Sequence, residues 1–124
     1  IILAGDLCEK LEDFDKCLEF FSRKFARVVW VPGNHELWTV EKEGQLVGEE
    51  RYMALVDLAR RHGVLTPEDP FEKFVSPMGS FVLAPLFLLY DYSFHPDYVE
   101  SGKAIAWAEA AGIVCADEYY LHYK

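Results

Sequence analysis

The chain has 124 residues, of which 52% are apolar and 15% aromatic, enough for a packed core; this excludes a disordered tail or a low-complexity linker. Twelve basic residues against 21 acidic ones leave a net charge of -9, so binding to a nucleic-acid backbone is not expected. Cys8, Cys17 and Cys115 are an odd set without CxxC spacing and read as reduced thiols of an intracellular protein, not as a disulfide framework or a zinc cage.

In chain order, Ile1 to Ala4 is a short apolar run closed by Gly5-Asp6 and reads as a buried strand. Leu11, Phe14, Leu18, Phe21 and Phe25 then recur at helical spacing on one face. Glu9, Glu12 and Asp13 lie near the start of that helix and Arg23, Lys24 and Arg27 near its end, as the helix dipole favours. Val28 to Val31 is a second buried strand, stopped by Pro32-Gly33. Strand, helix, strand with short joints predicts a parallel βαβ unit with a right-handed crossover. A second helix is expected over Glu49 to His62, with Tyr52, Leu55, Leu58 and Ala59 inward and Gly63 as its stop. Residues 66 to 80 carry Pro67, Pro70, Pro77 and Gly79 and read mostly as loop. Phe81 to Tyr90 reads as strand interrupted at Pro85, and Asp91 to Gly102 as loop. Lys103 to Ala111 reads as a short helix, and Ile113-Val114 as the start of a further strand.

Phe81 to Tyr90 is also the longest apolar run, too short for a membrane span. No signal peptide is visible, so a cytoplasmic protein without membrane attachment is expected. The opening Ile1-Ile2-Leu3-Ala4 has no Met and no polar lead-in, which reads as a segment of a longer protein, with a processed N-terminus as the competing explanation.

Two clusters carry chemistry: Gly5-Asp6-Leu7-Cys8-Glu9 after the first strand and Gly33-Asn34-His35-Glu36 after the second. In a parallel unit both lie at the carboxyl edge of the sheet, where open α/β sheets bind ligands. An Asp that can bridge cations, a neutral Asn oxygen and a His suited to proton transfer fit metal-assisted hydrolysis of a phosphoester. Each cluster has a plainer reading. Asp6 and Glu9 match a helix capping box with Asp6 at the N-cap, Pro32-Gly33-Asn34 matches an ordinary turn, and His35 could be a satisfied polar residue in that turn.

The two clusters resemble, in order, the GD-x-x-[DE] and GNH[DE] signatures of the calcineurin-like metallophosphoesterases. The resemblance implies an α/β fold in which two mixed β-sheets pack face to face between flanking helices. It implies two divalent metal ions (Mn, Fe, Zn or Mg), with Asp6 bridging both and Asn34 binding the second. It implies His35 as the acid near the leaving group and Glu9 as the partner that orients it. The reaction it implies is hydrolysis of a phosphomonoester or phosphodiester by metal-bound hydroxide. The family's upstream D-x-H and closing GHxH do not occur here, so residues 1–124 are expected to be a partial domain that is inactive by itself. Three other histidines, His62, His95 and His122, stand in a helix end, a loop and the last residues, and none is expected to be a ligand. Lys10, Leu11, Leu37 and Trp38 depart from the GDxVDRG and GNHExR of phosphoprotein phosphatases, which disfavours that branch. Trp38 reads more readily as a core aromatic than as a wall of the substrate mouth. The alternative function is a non-catalytic, truncated or degenerate relative that serves as a protein-interaction module. A nucleotide-binding α/β domain is disfavoured because no GxGxxG or GxxxxGK[ST] is present.

Overall fold

The computed structural model of the protein describes residues 1–40, 46–88 and 90–122. The first apolar run forms β1 (Ile2–Leu3) and the second forms β2 (Val29–Trp30), paired in parallel with Ile2 opposite Val29 and Leu3 opposite Trp30. Val29 N–H donates to the Ile1 carbonyl at 3.0 Å and Val31 N–H to the Leu3 carbonyl at 2.9 Å. On the other side of β2, Val29 makes a parallel bridge to Leu65. The chain thus lays down three parallel segments, with a helix before the second and another before the third.

The first of those helices is α1 (Leu11–Lys24), which begins two residues beyond Glu9. Its N-cap is Lys10, without a side-chain cap, so Asp6 and Glu9 do not form the capping box that their spacing allows. The chain makes a further turn between Asp6 and the helix, and this releases both carboxylates for other partners. Phe14 and Leu18 are buried, Leu11 and Phe21 are half-buried, and Phe25 lies beyond the helix end and is exposed.

A one-turn helix, α2 (Asn34–Leu37), follows β2, where the sequence reads as a plain turn. The next helix is α3 (Gly48–Arg61), one residue earlier at each end than the periodicity indicates. Its Leu55, Val56, Leu58 and Ala59 join Leu3, Phe14, Leu18, Val28, Trp30, Leu37, Val64 and Leu121 in a single core. Each fully buried side chain of this size contributes roughly 1.5–3 kcal/mol. The Phe14 and Trp30 rings meet at 4.9 Å between centroids and join α1 to the sheet. His62 follows α3 as its C-cap, and its Nε2 lies 2.7 Å from Asp15 Oδ1 on α1.

The sequence reading is corrected in the next stretch. Residues 73–82 form a hairpin of β3 (Lys73–Ser76) and β4 (Gly79–Val82), with Phe74 stacked on Phe81 at 5.6 Å. Pro77 and Gly79, read as strand breakers, build its turn instead, and the Ser76 hydroxyl accepts from Met78 N–H at 3.2 Å. Residues 83–88 and Tyr90 are irregular, so strand structure does not run on to Tyr90; Leu89 lies outside the described residues. The expected alanine-rich helix is α4 (Ala104–Ala110). Ile113 and Val114 do not form a strand: they are 60% and 63% exposed and pair with no strand among the described residues. A last turn, α5 (Asp117–Tyr120), returns the chain to α2, where Thr39 N–H donates to the Tyr120 carbonyl at 3.0 Å. No described helix is long and apolar enough to cross a membrane.

The turn after the Leu65 bridge is held by one carboxylate. Thr66 is fully buried, and its N–H and hydroxyl donate to Asp69 Oδ2 at 2.9 and 2.6 Å. Arg60 Nε donates to Asp69 Oδ1 at 2.9 Å. Burial pushes the Asp69 carboxyl up, but the Thr66 hydrogen bonds and the Arg60 charge outweigh it and hold the group below its ordinary value of 3.8. A carboxyl lowered on folding adds stability above its unfolded value and loses that contribution as the pH falls through the folded one. Asp69→Ala should therefore cost about 1.5–3 kcal/mol at pH 7. Urea denaturation should show the gap to wild type closing as the pH falls below 3.8; a gap unchanged in acid would contradict the role of the charged form.

Candidate active site

The loops after β1 and β2 are pressed together. Gly5 and Asp6 both take left-handed backbone angles, with φ of 85° and 55°. A Cβ on Gly5 would sit 2.3 Å from the Gly33 nitrogen, and one on Gly33 would sit 2.0 Å from Asp6 Oδ1. Only glycine lets two backbones approach so closely.

One buried carboxylate holds this junction. Glu36 is fully buried, and its Oε2 accepts from Asp6 N–H at 3.0 Å and from Gly33 N–H at 2.8 Å. Its Oε1 accepts from Leu7 N–H at 2.6 Å. Behind it, buried Arg51 donates from Nε to the Glu36 carbonyl at 2.7 Å, and from a terminal guanidinium nitrogen to the Glu9 carbonyl. Burial pulls the Arg51 guanidinium below its ordinary value, opposed by Cys8 and Glu36. Glu36 is therefore occupied in joining the loops and is not available to a ligand.

The four candidate residues lie along this junction. His35 N–H points to Asp6 Oδ1 at 3.3 Å, and His35 Nδ1 lies 3.1 Å from Glu9 Oε1. Asn34 Nδ2 donates to Asp117 Oδ1 at 2.9 Å. Trp38 is half-buried: it packs against the hydrophobic core and also reaches the site. Its ring lies 3.7 Å from the His35 ring and 5.1 Å from Tyr120, and its Nε1 donates to Asp117 Oδ1. Cys8 is half-buried, and its thiol is pushed up to about 12, first by burial and then by Cys17, Glu36 and Asp13.

The donor set fits a hard divalent cation in part. Asp6 brings an exposed carboxylate, and Asn34 spends its amide nitrogen on Asp117, which leaves the amide oxygen for a cation. Among the described residues no group of three or more His, Cys, Asp or Glu side chains gathers as a metal site. His62 is engaged with Asp15, His95 Nδ1 lies 3.1 Å from the Pro96 carbonyl, and His122 is exposed near the chain end. None of the three joins a metal-binding cluster with Asp6.

The family model described as calcineurin-like phosphoesterase matches residues 1–108. The chain belongs to the calcineurin-like phosphoesterase family. It is 42% identical over 123 residues to the acyl-carrier-protein phosphodiesterase PptH of Mycobacterium tuberculosis, covering 98% of this chain and 38% of that protein. The crystal structure of the phosphopantetheinyl hydrolase PptH from Mycobacterium tuberculosis superposes with a TM-score of 0.93 at 41% identity, over 99% of this chain and 44% of that one. The chain therefore spans about two fifths of the length of the relatives it matches. This calcineurin-like phosphoesterase chain carries its two signatures after the strands of a parallel pair.

Sequence reasoning did not assign Glu36, Arg51 or Asp117. Glu36 had a signal, since it directly follows Asn34-His35 and ends that signature. Asp117 had none, being 83 residues from the side chain it holds.

The glycine junction is open to a controlled test. Gly63 also has a positive φ, 68°, but a Cβ there meets nothing within 4 Å. Gly63→Ala should cost about 1–2 kcal/mol for backbone conformation alone. Gly5→Ala adds the clash and should cost roughly 2–5 kcal/mol. Equal shifts in thermal melts of the two variants would refute the close approach of the loops.

Proposed function

We propose that this chain supplies one half of the metal site of a metal-dependent phosphodiesterase. The observation that carries the reading is the junction itself: Asp6 and Asn34 at the carboxyl ends of two paired parallel strands, beside a His35 backed by Glu9 at 3.1 Å. In this reading the Asp6 carboxylate and the Asn34 amide oxygen would be the groups of this chain that hold two divalent cations of the Mn, Fe, Zn or Mg class. Such ions supply charge neutralisation of the phosphate and activation of the attacking water. Two cations need further ligands, which would be of the D-x-H and GHxH kind that does not occur in residues 1–124.

The chain's own residues then divide the remaining work. Glu9 carboxylate would accept from His35 Nδ1–H and so orient the ring, and the imidazolium form would carry on Nε2 the proton that goes to the leaving oxygen. The Trp38 ring, tilted by 30° against the imidazole at 3.7 Å, restricts its rotation. The substrate class proposed is a phosphodiester, after the relative PptH, an acyl-carrier-protein phosphodiesterase. A phosphopantetheinylated acyl carrier protein is the substrate to test first. The retained His35–Glu9 pair weighs against a non-catalytic interaction module, which has no use for it.

Two variants of the complete protein separate the roles. Asn34→Ala should lose bound metal and turnover together. His35→Ala should keep its metal and lose roughly 10²–10⁴ in kcat on a phosphodiester. Metal analysis beside steady-state kinetics reads both; equal metal loss in the two variants would contradict the division.

A further inference from the structure

We infer that Asp117 is the positioning residue of this site: its buried carboxylate fixes which way the Asn34 carboxamide faces and, through the same oxygen, holds the ring on which His35 rests. The inference rests on the reading of Asn34 as a metal ligand.

Asp117 is 3% exposed. Its Oδ1 accepts from Asn34 Nδ2 at 2.9 Å and from Trp38 Nε1. An ionised carboxylate only accepts, so the amide nitrogen of Asn34 must face it and the amide oxygen must face away. A flipped amide would set oxygen against oxygen in a buried place, where an unpaired charge costs most. A carboxamide without such a partner is free to turn its N–H₂ toward a cation, which it cannot ligate. Groups behind a metal ligand commonly set its orientation in this way. Trp38 extends the effect. Its N–H is fixed by Asp117 while its ring lies 3.7 Å from His35, so one side chain orders both the proposed ligand and the proposed acid.

The test compares Asp117→Leu, which has the shape but no acceptor, with Asp117→Asn, whose side-chain oxygen can keep both bonds. Both are made in the complete protein, with Asn34→Ala alongside. Mn²⁺ binding is followed by calorimetry and by electron paramagnetic resonance. Asp117→Leu should weaken one of the two ions roughly 10- to 100-fold, and Asp117→Asn much less. Unchanged binding in folded Asp117→Leu, with an ion lost in Asn34→Ala, overturns the positioning role alone. Equal weakening in both Asp117 variants assigns the effect to lost charge and also overturns it. Unchanged binding in Asn34→Ala overturns the ligand reading and this inference with it. Should Asp117→Leu fail to fold, the wild-type apo protein decides by NMR. The Asn34 carboxamide protons, assigned by their loss in Asn34→Ala, should exchange with water at least roughly tenfold more slowly than an exposed carboxamide. Exchange at the exposed rate overturns the inference.

Discussion

Glu36 receives three backbone amides from two loops, at 2.6 to 3.0 Å, and the placement of every candidate group follows from that arrangement. Without it, Asp6 and Gly33 would present unpaired N–H groups to each other across a contact too close for water. A buried carboxylate is costly unless fully paired, and this one is paired with donors that nothing else in the junction could satisfy. Arg51 offsets the charge from behind, and because it also binds the Glu9 carbonyl it joins α3 to the loop that carries the histidine's partner. The site is thus a product of backbone chemistry first. The side chains that face outward inherit their positions from a hydrogen-bonded junction beneath them.

That junction sits where sheet physics places it. Two apolar strands with an amphipathic helix between them pair in parallel, and parallel pairing brings both strand ends to one edge. Trp30 and Phe14 fill the space between helix and sheet. The same packing that stabilises the core therefore sets the distance between Asp6 and Asn34.

What was legible in the sequence was local. The 3.6-residue spacing of Leu11 to Phe21, the apolar runs at Ile2 and Val29, and the glycines that end them are read within a few residues, and the fold follows them. The His35–Glu9 contact was expected only through the family resemblance of the two signatures, and the two side chains do meet at 3.1 Å. Residues whose role depends on distant partners were not legible. Asp117 gains its meaning only when α5 returns to α2, and nothing nearby in the chain marks that return. Pro77 and Gly79 read equally as breakers and as turn formers, and the pairing of Phe74 with Phe81 decides between the two. Ile113 and Val114 have strand-forming side chains, but a strand needs a neighbour with which to exchange hydrogen bonds, and none lies beside them among the described residues.

Asp6 has a consequence beyond its charge. It holds a left-handed backbone, φ 55°, in a position where glycine would sit without strain, and residues kept in such regions cost on the order of 1–3 kcal/mol. A glycine at this position would therefore relieve that strain and give a more stable junction. An engineer seeking a tougher scaffold would find an easy gain there, and would lose with it the carboxylate on which the proposed cation site is built.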